Sequence, residues 1–250
     1  MKVVTWNVNG IRARQAQVLE LAEREQPDIL CLQELKAKPE QIPEALCNLA
    51  GYWCYWHGAA AYSGVGLHVR KERFPEAPEF SHPPFDHETR IVEAKLGALV
   101  VASIYVPNGG KDFAAKLAFM SAMEGYVAAH HDAGRTVILC GDLNVTRTDR
   151  DVHPKERKPN AIGQRPDERA LLERILGHGL TDVGRALDPD NDNLFTWWAP
   201  WRNLRQRNIG WRLDYVLASE PVAQRATSCP VLREFGSSDH GPVIATFRET

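Results

Sequence analysis

Eight short apolar runs, each four to eight residues long, constrain the fold of this chain more than any other feature of its sequence. They occupy residues 3–6, 29–32, 65–69, 91–94, 99–106, 136–140, 213–217 and 243–247. Most are rich in β-branched residues, which favours strands. Residues 10–25 and 112–131 instead carry apolar side chains at helical spacing, with Asp112 as an N-cap, and residues 167–176 form a third predicted helix. This mixture predicts an α/β fold of two sheets packed face to face with helices outside.

Length and charge narrow the protein class. The 250 residues fit one large α/β domain, and we predict a single domain over residues 1–250. A formal charge of −2 argues against a protein that coats nucleic acid, but it allows a local basic face that binds it. The most apolar stretch, residues 96–106, is shorter than the roughly 20 residues of a membrane span. Five cysteines without C-x-x-C spacing and no recognisable export signal predict reduced thiols in a cytoplasmic protein.

Polar clusters lie at the ends of the predicted strands, at residues 6–10, 32–36, 105–109, 141–144, 211–215 and 238–242. The candidate site residues in them are four carboxylates, four asparagine amides, one histidine and one phenol: Glu34, Asp142, Asp214, Asp239, Asn7, Asn9, Asn108, Asn144, His240 and Tyr105. Carboxylate and amide oxygens suit Mg²⁺ or Mn²⁺ better than zinc. Amide NH₂ groups donate to phosphate oxygens, and a carboxylate beside a histidine fixes its tautomer or keeps it protonated. The set indicates metal-assisted hydrolysis of a phosphodiester.

Each cluster taken alone has a simpler interpretation. The sequence Gly-Asp-Leu-Asn at 141–144 is typical of a turn with an Asx cap, and Ser-Asp-His-Gly-Pro at 238–242 is typical of a turn before a strand. Glu34 is compatible with a surface carboxylate. The joint occurrence of these clusters at strand ends favours the catalytic interpretation.

The motifs resemble those of the exonuclease III family of apurinic/apyrimidinic (AP) endonucleases, within the endonuclease/exonuclease/phosphatase superfamily that includes DNase I. The matching motifs, in family order, are Trp-Asn-x-Asn-Gly, Leu-Gln-Glu-x-Lys, Tyr-x-Pro-Asn-Gly, Gly-Asp-Leu-Asn, Trp-Arg-x-Asp-Tyr and Ser-Asp-His. They span residues 6–242, nearly the whole chain. The resemblance implies a DNase I-like four-layer α/β sandwich, in which two mixed β-sheets are flanked by helices.

The resemblance also implies roles for individual residues. Glu34 is similar to the principal metal ligand, and the implied set of residues at the metal is Asn7, Glu34, Asp142, Asn144, Asp239 and His240. Asp142 would position or deprotonate the attacking water, and Asn144 would orient that water or a phosphate oxygen. His240 would contact the phosphate with Asp214 orienting it. Tyr105 and Asn108 would contact the phosphate and order the site.

A DNA-binding face is predicted beside this centre. The resemblance places Trp197, Trp211 and Leu213 around an extruded abasic deoxyribose, although both tryptophans could instead be core aromatics. Residues 201–212 contain four arginines and no acidic residue, and the arginines assigned to phosphate contacts are Arg202, Arg205, Arg207 and Arg212. Lys111 either reaches the DNA or is a solvated side chain. Residues 146–166 are expected to form a long surface loop in which Asp149, Asp151 and His153 are structural or exposed.

The resulting functional hypothesis is a Mg²⁺- or Mn²⁺-dependent DNA repair nuclease. It would cut double-stranded DNA 5′ to an abasic site, clear blocked 3′ ends and remove nucleotides in the 3′ to 5′ direction. It is expected to act as a monomer and not on membranes. The alternatives are a phosphodiesterase that acts on RNA or small phosphodiesters and a non-catalytic DNA-binding module. The second alternative does not explain the presence of Glu34, Asp142, Asn144, Asp214 and His240 together.

Overall fold

Two six-stranded mixed sheets form the centre of the molecule in a computed structural model that describes residues 1–249. The first sheet has the order β11-β12-β1-β2-β4-β3. Its strands are β1 (Lys2–Asn7), β2 (Ile29–Gln33), β3 (Tyr52–His57), β4 (Val65–Arg70), β11 (Ala226–Ser228) and β12 (Val243–Phe247). The second has the order β5-β6-β7-β8-β10-β9. Its strands are β5 (Glu79–Ser81), β6 (Ile91–Leu96), β7 (Leu99–Tyr105), β8 (Thr136–Asp142), β9 (Leu180–Asp182) and β10 (Asp214–Ser219).

Six α-helices connect these strands among the described residues. They are α1 (Gln15–Glu25), α2 (Glu44–Cys47), α3 (Phe113–Asp132), α4 (Pro166–Gly177), α5 (Val183–Leu187) and α6 (Glu220–Ala223). The Asp112 side chain accepts a hydrogen bond from the Ala115 N–H and caps α3, as predicted. No helix within residues 1–249 is long and apolar enough to cross a bilayer.

Three hydrophobic clusters produce a four-layer packing. One lies between the sheets and joins residues of both, among them Ile29, Leu67, Val101 and Val216. The second packs α3 and α4 on the outer face of the second sheet, and the third packs α1 on the outer face of the first. Because side chains alternate along a strand, most interior strands contribute to two of these clusters. The predicted sandwich of two mixed sheets flanked by helices is confirmed.

The structure differs from the prediction mainly at short elements. Strands β3, β5, β9 and β11 were not predicted, because three of them have three residues each and β3 is an aromatic-rich strand whose residues are all half-buried. The predicted helix 10–25 begins as a 3₁₀ turn at Ile11–Arg14 and continues as α1. The stretch 146–166 is more ordered than a surface loop, since it contains two 3₁₀ turns and the buried carboxylate of Asp151.

His68 in β4 makes the stability of the fold sensitive to acid. Its side chain is buried against the Trp56 ring, and neither imidazole nitrogen has a hydrogen-bond partner among the described residues. Burial lowers the pKa of His68 to about 3. Below pH 6.5 the unfolded chain therefore takes up a proton that the folded chain does not, and the free energy of unfolding decreases as the pH falls toward 3.

We expect His68→Leu to remove this term. As the pH falls from roughly 6 to 4, the difference in unfolding free energy between the variant and the wild type should grow in favour of the variant by about 1.4 kcal/mol per pH unit. Urea denaturation at several pH values measures the difference. His87→Leu, at an exposed histidine, is the control. Its plot of unfolding free energy against pH should be parallel to that of the wild type. A His68→Leu curve parallel to the wild-type curve would show that the imidazole is protonated inside the fold.

Candidate active site

Residues from most of the polar clusters line one cavity of about 400 Å³ at an end of the sandwich. Its lining residues are Glu34, Tyr105, Asn108, Asp142, Asn144, Ile162, Gly163, Trp197, Trp211, Leu213, Asp239 and His240. The strand register explains part of this convergence. Parallel pairing of β7 with β8 sets Tyr105 beside Asp142, and antiparallel pairing of β10 with β8 sets Asp214 beside Asp142 from the other side. Three side chains that are far apart in sequence therefore share one row.

Asn7 connects two of the carboxylates. Its Nδ2 donates to Glu34 Oε2 and to Asp142 Oδ2, each at 2.9 Å. Its Oδ1 accepts from the Asn9 N–H at 2.9 Å. The amide nitrogen rather than the oxygen therefore faces the carboxylates, and this orientation is a bridge between them rather than that of an oxygen ligand. Nothing in the sequence motifs indicates this arrangement.

Asp142, His240 and Asp214 form a buried line. His240 Nδ1 lies 2.8 Å from Asp214 Oδ2, and His240 Nε2 lies 3.8 Å from Asp142 Oδ2. Burial acts to lower the pKa of His240, but the charges of Asp214 and Asp142 outweigh it and raise the pKa to about 10. The ring is therefore an imidazolium at neutral pH, with Nδ1–H donating to Asp214. In this protonation state His240 has no free lone pair and suits a phosphate contact through Nε2–H, whereas its expected place among the residues at the metal stays a prediction.

Asp214 is itself held by Thr196, a residue that the sequence analysis missed. The Thr196 hydroxyl donates to Asp214 Oδ2 at 2.6 Å. The same hydroxyl oxygen accepts the backbone N–H groups of Leu213 and Asp214, at 2.9 and 3.0 Å. Thr196 thus fixes the carboxylate that orients His240. Its position directly before Trp197 was the only signal in the sequence.

Asp142 and Asn144 form a second hydrogen-bonded unit. Asp142 Oδ1 accepts from the Asn144 N–H at 2.9 Å, and Asn144 Oδ1 accepts from Asn108 Nδ2 at 3.2 Å. Burial raises the pKa of Asp142 to about 7, with the imidazolium of His240 opposing the rise and the charge of Asp214 adding to it. Asn144 has a left-handed backbone with φ of 50°, as do Asn9 and Glu34 at 46° and 58°. Such conformations are uncommon for residues other than glycine, and they cluster at functional sites.

An ion pair beneath Asn144 was also missed. Lys116 Nζ donates to the Asn144 carbonyl oxygen at 2.6 Å and lies 2.5 Å from Glu168 Oε2, and both side chains are fully buried. Glu168 Oε1 accepts the backbone N–H groups of Gly163 and Arg165. The pair therefore ties α3 and α4 to Asn144 and to the cavity wall at Gly163. No motif marks it, because Lys116 lies in the apolar pattern of a predicted helix.

Asp239 and Tyr105 flank the carboxylates. Asp239 accepts from Asn9 Nδ2 at 2.8 Å and from Trp197 Nε1 at 2.9 Å. Burial acts to raise the pKa of Asp239, but His240 and these hydrogen bonds lower it overall. Burial and the charges of Glu34 and Asp142 hold the pKa of Tyr105 well above 10, so its hydroxyl is protonated. The guanidinium of Arg90 lies 4.9 Å from the centre of the Tyr105 ring.

Two tryptophans form one wall of the cavity. The Trp197 and Trp211 rings meet edge to face, with their centres 5.6 Å apart, and Leu213 lies beside them. Ile162 and Gly163 complete the wall, although the sequence assigned no role to their segment. A Cβ at Gly163 would lie 2.9 Å from the Trp211 ring at a φ of 92°, so only glycine allows this approach without a shift. Trp198 is buried in the core, and Trp201 is 59% exposed.

The predicted basic face divides into exposed and buried arginines. Arg202, Arg207 and Lys111 are exposed. Arg212 is buried and pairs with Asp151 at 2.8 Å and with Asp182 at 2.6 Å, so its assignment as a DNA contact is wrong. The guanidinium of Arg205 is also occupied, since it donates to the backbone carbonyls of Arg233, Phe235 and Ser238. Both guanidinium groups are therefore held by partners inside the protein. Leaving a buried charge without a partner would lower the stability of the fold.

The donor set in the cavity fits a hard divalent cation. Glu34, Asp142 and Asp239 bring carboxylate oxygens to it, whereas Asp214 lies behind His240 and does not line it. Ligand atoms of Asp142, Asp214 and His240 lie within 4.8 Å of one another. Asp214 and His240 are already joined by a hydrogen bond. Oxygen ligands of this kind favour Mg²⁺ or Mn²⁺.

Comparisons with known proteins identify the family. Residues 4–240 match the model of the endonuclease/exonuclease/phosphatase family. The chain is 33% identical to recombination repair protein 1 of Drosophila melanogaster over 99% of its own length, which is 37% of that protein. It is 32% identical to an exodeoxyribonuclease of Bacillus subtilis, with 97% of this chain and 98% of the relative covered.

Two solved structures superpose over the full length of both chains. The 3′ phosphatase NExo from Neisseria, bound to a product DNA hairpin, has a TM-score of 0.90 and 30% identity. An AP endonuclease from Archaeoglobus fulgidus has a TM-score of 0.89 and 30% identity. The chain therefore belongs to the endonuclease/exonuclease/phosphatase family and, within it, to the exonuclease III group of nucleases and AP endonucleases.

Proposed function

We propose that this protein is a Mg²⁺-dependent DNA repair nuclease that hydrolyses the phosphodiester 5′ to an abasic site and leaves a 3′-hydroxyl. The buried line from Asp214 through His240 to Asp142 carries the proposal, because it opens onto a cavity that also holds an aromatic wall. Relatives that are named exodeoxyribonuclease and AP endonuclease support the same reaction class. The DNA hairpin bound to NExo supports DNA as the polymer and 3′-end processing as a second activity.

Each protein group has a chemical task at the phosphate. Asp142 is the base that takes the proton of the attacking water, and Asn144 orients that water through its amide. The imidazolium of His240 donates Nε2–H to a non-bridging oxygen, and Asp214 keeps the ring in place. Tyr105, whose hydroxyl stays protonated, and the Asn108 amide donate to the phosphate from the opposite side. Fixed donors of this kind stabilise the charge that develops in the transition state.

A divalent cation would be held by Glu34, with Asp239 and the Asp142–Asn144 unit close by. When bound, it offsets negative charge on the phosphate and favours ionisation of a nearby water. Asn9 and Lys36 shape this side of the site, since Lys36 Nζ lies 2.9 Å from Glu34 Oε1 and 2.6 Å from Asn9 Oδ1. These contacts and the hydrogen bond from Asn7 orient the Glu34 carboxylate.

The aromatic wall supports the proposed preference for a missing base. Trp197, Trp211 and Leu213 offer an apolar surface to a deoxyribose that carries no base, and rotating such a sugar out of the duplex breaks no base pair. Trp211 Nε1 is buried without a hydrogen-bond partner in the described part of the chain, so the ring presents its apolar surface to the cavity. The exposed Arg202, Arg207 and Lys111 are proposed to contact the DNA backbone.

A gel assay with three labelled duplexes tests the proposal. One duplex carries a single abasic analogue, one has an intact recessed 3′ end and one ends in a 3′-phosphate. We expect one cut at the analogue with Mg²⁺, none with chelator, and slower processing of the two 3′ ends. A ladder on the recessed duplex without a cut at the analogue would make exonuclease the main activity. No product from any duplex would refute a DNA nuclease and favour RNA or small phosphodiesters.

Replacing Trp211 by alanine should separate incision from end processing. We expect abasic-site incision to fall by about 5- to 150-fold, because the loss of one aromatic contact removes roughly 1–3 kcal/mol of binding to the flipped sugar. Exonuclease activity on the intact duplex should fall by less than about threefold, since no sugar must be held outside the helix. Steady-state rates on the two duplexes measure the ratio, with Trp201→Ala as the aromatic control. Equal losses in Trp211→Ala would mean that the ring only supports the fold.

A further inference from the structure

Two histidines and one aspartate meet outside the catalytic cavity. His57 ends β3 at the edge of the first sheet, whereas His82 and Asp86 lie in the connection from β5 to β6 at the edge of the second. One ligand atom from each of the three side chains lies within 4.8 Å of the other two. None of the three lines the cavity that holds Asp142 and His240. The proposed nuclease activity gives this cluster no role.

The hydrogen bonds of the cluster resemble those around a metal ligand set. Asp86 Oδ1 accepts the backbone N–H groups of Arg90 and Ile91 at 2.8 and 3.1 Å, so Oδ2 is held toward His57. His82 Nδ1 lies 3.4 Å from the Ile91 carbonyl oxygen, which suits an Nδ1–H donor and leaves a lone pair on Nε2. A histidine that donates one ring N–H to a backbone carbonyl is oriented to bind a metal through the other nitrogen.

The two imidazole rings are also unusually close. They stack with their centres 3.8 Å apart and their planes 25° apart, and His57 Nε2 lies 2.6 Å from Asp86 Oδ2. Two histidine rings in this arrangement cannot both become charged without strong repulsion, whereas a shared cation satisfies both lone pairs and the carboxylate.

We propose that His57, His82 and Asp86 form a second metal site, which takes a borderline divalent ion of the zinc type. Two imidazoles and one carboxylate are ligands of Zn²⁺, Co²⁺ or Ni²⁺ rather than of Mg²⁺. Ligand atoms of a tetrahedral zinc site lie roughly 3.3 Å apart. Binding therefore needs His57 in the tautomer that carries its proton on Nδ1, so that Nε2 exchanges its short hydrogen bond to Asp86 for the ion. It also displaces the Tyr55 hydroxyl that now lies 2.9 Å from His82 Nε2.

The position of the site gives the ion a structural role. It would join the free edge of the first sheet to a connection that leads into β6 of the second. The same connection ends at Arg90, which packs on the ring of Tyr105. A metal bridge at this point restrains the two sheets against each other at the edge opposite β9 and β11.

Metal titration of chelator-treated protein tests the site separately from the catalytic one. The Glu34→Gln background weakens binding in the catalytic cavity, and Zn²⁺ binding is measured there by calorimetry, with Co²⁺ as a visible-absorption probe. We expect one tight equivalent of Zn²⁺, a tetrahedral Co²⁺ spectrum and a rise in melting temperature on Zn²⁺ addition. His57→Gln and His82→Gln should each weaken this equivalent by at least about tenfold. His87→Gln, at the neighbouring exposed histidine, should leave it unchanged.

Two results would overturn the proposal. The first is a Glu34→Gln protein that takes up no Zn²⁺ and shows no thermal stabilisation. The second is a Zn²⁺ equivalent that persists equally in His57→Gln, His82→Gln and His87→Gln, which would place it on other side chains. Melting temperatures in chelator confirm that each variant is folded, since the amide introduced by His57→Gln retains a donor for Asp86.

Discussion

Replacing Asp142 by asparagine is expected to lower kcat for abasic-site incision by about 10²–10⁴-fold while changing the Kd for the abasic duplex by less than about threefold. The substitution preserves size and removes the proton acceptor. Asp142 Oδ1 and Oδ2 now accept from Asn144 and Asn7, and an asparagine retains one of these two acceptors. The cavity therefore keeps its shape and loses the group that takes the proton of the attacking water.

Single-turnover cleavage and equilibrium binding measure the two quantities separately. Asp149→Asn is a suitable control, because Asp149 is an exposed carboxylate with an arginine partner outside the cavity. The pH dependence gives a second readout. A general base works only when deprotonated, so the rate should rise with pH through the pKa of Asp142, which burial raises to about 7 and a bound cation lowers. This rising limb should be absent in Asp142→Asn. Cleavage within tenfold of the wild-type rate would exclude Asp142 as the base.

The sequence allowed prediction of the site wherever strand pairing alone determines position. Asn7 ends β1 and Glu34 directly follows the parallel strand β2, and Tyr105 and Asp142 end another parallel pair, so motifs at the ends of apolar runs had to meet. The same logic predicted the two-sheet sandwich, because β-branched runs of this length need a buried face on both sides. Short edge strands such as β5 and β9 carry too few residues to give a pattern.

Charged side chains were predicted less well, because their environment is set by distant partners. Arg202 and Arg212 lie in the same basic segment and cannot be told apart from the charges of their neighbours in sequence. In the fold, however, Arg212 binds Asp151 and Asp182, which are 61 and 30 residues away along the chain. The hydroxyl of Thr196 is likewise 18 residues from the carboxylate it holds. The direction of the Asn7 amide could not be predicted either, since it depends on the hydrogen bond from Asn9. A composition-based basic face therefore overestimates the number of phosphate contacts.

Variants of the buried pair Lys116 and Glu168 are expected to distinguish its contribution to stability from its contribution to catalysis. Lys116→Met leaves the Glu168 carboxylate buried without its partner, and such a loss costs about 3–5 kcal/mol of unfolding free energy. It also removes the donor to the Asn144 carbonyl, and we expect kcat to fall by up to about 10²-fold, since small displacements of a positioning group have effects of this size. Lys95→Met, which breaks an exposed pair with Glu79, should change stability by about 1 kcal/mol or less.

The double variant Lys116→Met/Glu168→Gln distinguishes a purely structural pair from a positioning one. It buries no net charge, and the amide introduced by Glu168→Gln still offers an oxygen to the Gly163 and Arg165 N–H groups, so urea denaturation should show most of the lost stability restored. The Asn144 carbonyl would still lack its donor, in a residue whose backbone is held at a φ of 50°. We therefore expect kcat to stay low, with KM for the abasic duplex nearly unchanged. Recovery of kcat together with stability would mean that Lys116 supports only the packing of α3 on α4 and does not position Asn144.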